Sequence, residues 1–348
     1  MRSRWTQRSL GRSLLALSVL TAVAALALPA APAAIQRARA SDDVCGGART
    51  ITLDEGITCT HGGDPAVGRS PSSSVGRAAP AAVPPAPCPG NGKAGRRIVV
   101  SYGYPADTAP RARSMRPVIR EALALADANL DASSPGRAGQ HYRFWCERNV
   151  QVTLRSYRLL PIGADNAFTF NDLIGSLADR VANGLGGADL DDPRRIYSVF
   201  VDNIACCYGP AGQGTYSHDD RADPAVNWNN QTFSPKFSLI RLGYSAQTLA
   251  GIWQHEVGHN LGAVQDSSPH TSGAGHCYEA YDVMCYDDGG PWFQGGGGIV
   301  ALCPSAMPDG QEIFDCNGDD YYATDPAVGS YLVDHWNLAS SRWLSWTT

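Results

Sequence analysis

Between residues 97 and 261, short β-branched runs alternate with segments of helical period, and this alternation limits the available folds more than any other feature of the chain. Residues 97–102, with Ile98, Val99 and Val100, have the pattern of a buried strand. From 115 to 130, Val118, Ala122, Leu125 and Ala126 recur at helical spacing. A strand is expected at 150–157, a helix at 171–185 capped by Asn171 or Asp172, and a strand at 195–202. The order βαβαβ predicts an α/β fold with a twisted, mostly parallel sheet, because parallel neighbours need a helical crossover between them. Residues 203–234, rich in Gly, Asp, Asn and Pro, read as a long loop with room for an edge strand, and 237–242 as a last strand.

Residues 245–261 form the next predicted helix, with Ser245 as N-cap, Leu249, Ile252 and Trp253 on its apolar side, and Gly262 at its end. Beyond Gly262 the chain is dominated by Gly, Cys and Asp until a closing helix expected at 328–344. The pattern implies two unequal lobes within a domain spanning 96–348. The upper lobe covers about 96–262, and the lower, irregular and disulfide-containing, about 263–348.

The chemistry gathers on the 245–261 helix. His255 and His259 are four residues apart and so share one face, about 6 Å from each other. Two imidazoles so placed can grip one small cation. Zinc accepts neutral imidazole nitrogen, tolerates tetrahedral geometry and keeps a position for water. Glu256 adjoins the first histidine, where a general base for that water is needed.

Gly262 extends the pattern to H-E-x-x-H-x-x-G, and Asp282-Val283-Met284-Cys285-Tyr286 follows. Together these resemble the metzincin zinc metallopeptidases, in which the glycine turns the chain sharply after the active-site helix and a Met-turn passes beneath the metal. The resemblance covers roughly residues 97–290 and is densest from 255 to 286. It implies a two-lobed metzincin-like catalytic domain, zinc as cofactor, Met284 as the Met-turn methionine, and cleavage of a peptide or protein substrate.

The family's third ligand position, three residues after the glycine, falls on Gln265, a poor zinc ligand. The candidates nearby are Asp266, His270 and His276. His270 is favoured, since it offers a neutral nitrogen after a short excursion through Ser267, Ser268 and Pro269. Tyr286 lies two residues after Met284, where related enzymes carry a tyrosine that binds zinc or stabilises an oxyanion. Glu279, twenty residues after His259, opens a rival resemblance to thermolysin-like gluzincins, and a non-catalytic secreted metal-binding module is the alternative from outside the enzymes. Asp315, Asn317, Asp319 and Asp320 form an oxygen-rich run suited to calcium or to a solvated turn.

The chain ends add a location. Residues 1–40 have a basic start, an apolar run too short to span a bilayer, and small residues suited to cleavage, as in a secretory signal. Its removal takes away six arginines and no acid, moving the formal charge from −5 to −11. Such acidity disfavours nucleic acid, whose phosphates require a basic face. A secreted, extracellular protein without a stable membrane anchor is expected. Residues 41–61 form a small cysteine-bearing segment, and the Pro-, Ala- and Ser-rich stretch 62–95 reads as a linker. All ten cysteines lie beyond the signal, and an even number in an exported chain suggests disulfides. Cys277 with Cys285, Cys303 with Cys316, and Cys88 with Cys146 are the pairs singled out.

Overall fold

The computed structural model describes residues 49–53, 56–60, 83–134, 137, 139–147, 151–159, 190, 192–202, 211–231, 235–303 and 312–346. The expected signal, most of the expected linker and the helix expected at 171–185 lie outside these residues.

In chain order the strands are β1 (Arg49–Leu53), β2 (Gly56–Thr60), β3 (Arg97–Pro105), β4 (Gln140–Tyr142), β5 (Cys146–Glu147), β6 (Gln151–Val152), β7 (Arg155–Leu159), β8 (Arg195–Val201), β9 (Gly212–Gly214), β10 (Lys236–Arg241) and β11 (Leu344–Trp346). Among the described residues there are two long helices, α1 (Ala112–Ala132) and α2 (Ala246–Leu261). β1 and β2 pair as a hairpin within the expected cysteine-bearing segment. The main sheet runs in the order β7-β3-β8-β10-β9, parallel throughout except for the edge strand β9, which is antiparallel to β10. The fold is therefore mixed α/β with a mostly parallel sheet.

Both faces of this sheet are buried, which is why its strands read as continuous apolar runs. On one face Ile98, Val100, Tyr102, Ile196, Phe200 and Ile240 meet α1 and α2, while Val99, Tyr197, Val199, Val201, Phe237 and Leu239 form a core on the other. Trp253 of α2 is fully buried in the first core. Its indole N–H donates to Ser198 Oγ at 2.8 Å, satisfying the one polar atom that burial would otherwise penalise. At the far end of α2, Asn260 donates to the carbonyls of Thr215 and Phe237, fastening the helix to β9 and β10.

Three expectations change. The closing helix expected at 328–344 is instead a short helical turn at Tyr331–Asp334, a 3-10 turn at Leu338–Ser340 and strand β11, which pairs with β4. Trp336, Leu338, Trp343 and Leu344 are buried by this arrangement, so tertiary packing overrides a weak helical period. The strand expected at 150–157 is split into β6 and β7. The end of the expected linker, 83–95, is packed rather than extended: Ala86 is buried and Cys88 is bonded to Cys146. The other expected pairs, Cys277–Cys285 and Cys303–Cys316, are also present.

Candidate metal centre

Helix α2 begins and ends as its residues require. Ser245 accepts a hydrogen bond from the Thr248 N–H, and Gly262 closes the helix at φ 99°, a left-handed conformation that favours glycine. A Cβ at Gly262 would also strike the Asn229 side chain at 2.4 Å. The helix is buried from Leu249 onward except at Gly251, so its polar residues His255, Glu256 and His259 are held inside the protein.

The ligand nitrogens of His255, His259 and His276 lie within 4.8 Å of one another. Each ring has Nδ1 engaged by a different oxygen: His255 with the Val283 carbonyl at 2.7 Å, His259 with the Ala263 carbonyl at 3.1 Å, and His276 with Asp288 Oδ2 at 2.9 Å. That pattern fixes ring orientation and assigns Nε2 as the ligand nitrogen in each case. The Nε2 atoms of His255 and His259 are 3.1 Å apart. Two nitrogens bound at zinc's usual distance in a tetrahedron lie roughly 3.3 Å apart, so the three imidazoles fit this cation in chemistry, and the His255–His259 pair fits it in spacing.

His276 reaches this centre because its loop is pinned from two sides. Ser272 N–H donates to the His276 carbonyl at 2.7 Å, and the Cys277–Cys285 disulfide ties the loop to the turn that carries Met284. The turn itself is organised by buried Asp282, whose carboxylate accepts from the N–H groups of Met284 and Cys316 and from the Tyr321 hydroxyl. Burial nevertheless pushes the Asp282 carboxyl up to about 7. Met284 is fully buried, and its sulfur is where a Cβ on Gly258 would fall, 2.6 Å away. Gly258 therefore lets the turn approach the helix between the two histidines.

Glu256 is fully buried beneath β9. A Cβ at Gly212 would lie 2.0 Å from Glu256 Oε1, and one at Gly214 would lie 2.6 Å from the Glu256 carbonyl, so the edge strand must be glycine at both points. Tyr286 is half-buried, its ring centred 4.4 Å from that of His276 and 5.8 Å from that of His255. Tyr216, which the sequence does not single out, stands 5.8 Å from the His259 ring, and its hydroxyl lies 2.6 Å from His218 Nε2. Burial, with the charges of Asp266 and Asp288, raises its phenol far above the ordinary range and keeps it protonated.

Of the candidates for a third nitrogen or oxygen, the structure gathers His276 with His255 and His259 and sends the other two elsewhere. Asp266 is largely exposed and pairs with His218 at 3.2 Å. His270, favoured on sequence, joins Glu279, Asp319 and Asp320 in a second group whose ligand atoms also lie within 4.8 Å of one another. The short excursion after Gly262 leads His270 away to Asp320, which accepts from its backbone N–H at 2.8 Å and lies 3.1 Å from its Nδ1. Glu279 thus stands in the acidic group, apart from the three histidines. Burial and the neighbouring Asp320 push its carboxyl up to about 11.

The oxygen-rich run expected from Asp315 to Asp320 does not assemble as written. Asp315 spends its carboxylate on the backbone N–H groups of Asp319, Asp320, Tyr321 and Tyr322. Asn317 is turned toward Cys303. Only Asp319 and Asp320 remain in a ligand-type cluster. Asp288, which orients His276, carries no sequence signal beyond being an acid near the Met284 turn. The chain matches no protein-family model, and no curated protein is significantly similar to it in sequence.

Proposed function

We propose that the chain is a secreted zinc-dependent endopeptidase of metzincin type, in which His255, His259 and His276 hold the metal and Glu256 is the general base. The observation that carries this proposal is the convergence of three imidazoles, each tied through Nδ1 to a different oxygen, beside a buried glutamate that a purely structural site does not need. Zinc held there supplies Lewis acidity to a peptide carbonyl and lowers the pKa of a water to near neutrality.

Glu256 takes a proton from the attacking water at a carboxylate oxygen and passes it to the leaving amine nitrogen. The Val283 and Ala263 carbonyls and Asp288 keep the three rings in the tautomer that presents Nε2. Tyr286, beside His276, donates its hydroxyl to the carbonyl oxygen as negative charge develops there. In this proposal residues 96–262 form the upper lobe and 263–348 the lower. The disulfides and the signal-like N-terminus support an extracellular location. The gluzincin alternative loses its support, because Glu279 stands with His270.

The test is zinc content measured beside casein hydrolysis in the parent and in Glu256→Gln. The amide preserves shape and removes the base, so zinc should stay near one per chain while turnover falls about 10²- to 10⁴-fold. Near-parental hydrolysis by the variant would falsify the assigned base. A parent that binds zinc and cleaves no peptide would instead favour a non-catalytic metal-binding module.

A further inference from the structure

The acidic group has features that the proposed hydrolysis does not use. His270 and Glu279 flank the loop carrying His276, whereas Asp319 and Asp320 belong to the C-terminal segment. Glu279 is 1% exposed, and neither of its carboxylate oxygens meets an N–H or hydroxyl donor; the side chain set against it is another acid, Asp320. His270 Nδ1 is 3.6 Å from Oε1, beyond hydrogen-bond range, and 3.8 Å from Asp319 Oδ1, which is itself buried without a hydrogen bond. The contrast with the neighbouring acids is direct. Asp282 and Asp315 are equally buried, but their oxygens are filled by N–H and O–H donors. Glu279 is aimed into the cluster and receives none.

A buried carboxylate without donors is costly, and bringing further carboxylates to it adds repulsion. A divalent cation relieves both penalties at once. Three carboxylates and one imidazole make a donor set rich in hard oxygen, suited to calcium or manganese rather than to a thiolate-seeking metal. We propose that His270, Glu279, Asp319 and Asp320 form a second divalent-cation site, separate from the three-histidine centre, which fastens the loop carrying His276 to the C-terminal segment. The site is independent of the peptidase proposal, since it asks nothing of Glu256.

The experiment uses the mature chain, stripped with chelator and reloaded with one equivalent of zinc, then titrated calorimetrically with calcium and, separately, with manganese. One further equivalent of either ion should bind and raise the melting temperature. Glu279→Gln should weaken that binding at least about tenfold. Asp319→Asn should do the same, and its side chain is 39% exposed, so this variant keeps the test valid if the first fails to fold. His276→Ala should lose zinc yet retain the calcium or manganese equivalent. In the manganese complex, nitrogen coupling in pulsed electron paramagnetic resonance should vanish in His270→Ala. The absence of a saturable second equivalent in the parent, or binding unchanged in Asp319→Asn, overturns the proposal and leaves the cluster neutralised by protons.

Discussion

Two groups of ligand-type side chains alternate along one stretch of chain, yet they are built on different principles. In the first, two of three histidines project from one face of α2, and each ring is oriented by a carbonyl or by Asp288. In the second, His270, Glu279, Asp319 and Asp320 come from a turn, an isolated bridge and irregular chain, and Glu279 receives no N–H or hydroxyl donor. Neutral imidazoles can be gathered by ordinary hydrogen bonding, because they do not repel one another. Buried carboxylates cannot, and their proximity is stable only if protons or a cation cancel the charge. The first group is thus preorganised by the fold, while the second depends on what neutralises it.

The largest expected effect separates His276 from His270. His276→Ala should abolish tight zinc binding and hydrolysis, whereas His270→Ala should leave zinc near one per chain, as read by metal analysis after dialysis. Equal loss in both variants would mean that the two groups act as one site.

A smaller effect is expected from Asp288→Asn, which keeps the shape beside His276 and removes the charge. Zinc affinity should fall about 10- to 100-fold, the usual cost of losing a partner that orients a ligand. Competition with a chromophoric chelator measures it. Affinity equal to the parent's would show that the loop alone holds the ring in place.

Preorganisation of the first group also predicts a packing effect at Gly258. A methyl group there meets the Met284 sulfur, so Gly258→Ala should cost about 1–3 kcal/mol in denaturant unfolding. Adding Met284→Ala should recover part of that loss, since the two changes share one collision. Strict additivity would dissociate the methionine from the helix.

The smallest expected change lies at the start of the helix. Ser245→Ala removes the N-cap of α2 and should cost about 1 kcal/mol of stability, with zinc stoichiometry unchanged because the cap lies more than two turns from His255. Loss of zinc in this variant would show that the histidine pair relies on the whole helix rather than on its local anchors.

Periodicity and end signals were sufficient to locate β3, α1, β8, β10 and α2, since each carries a long apolar pattern or a capping residue. His255, Glu256 and His259 were legible for the same reason: a spacing of four on a capped helix determines a shared face before any tertiary contact is made. The three disulfides seen among the described residues join the pairs singled out, two of them close neighbours along the chain. The closing segment departs from the expected helix because its helical period is short, and burial of Trp336, Trp343 and Leu344 decides its form.

Which residue completes the histidine pair lay beyond the sequence. Asp266, His270 and His276 all stand in an irregular loop, where separation along the chain says nothing of direction in space. Asp320, fifty residues from His270, draws that histidine toward the acidic group, while the Cys277–Cys285 disulfide and Asp288 hold His276 against the helix. The same holds for the glycines facing Glu256 and Met284, whose need for a missing Cβ exists only once strand, turn and helix have met. Local chemistry set the helix-borne half of the site, and long-range contacts, which no periodicity encodes, set the rest.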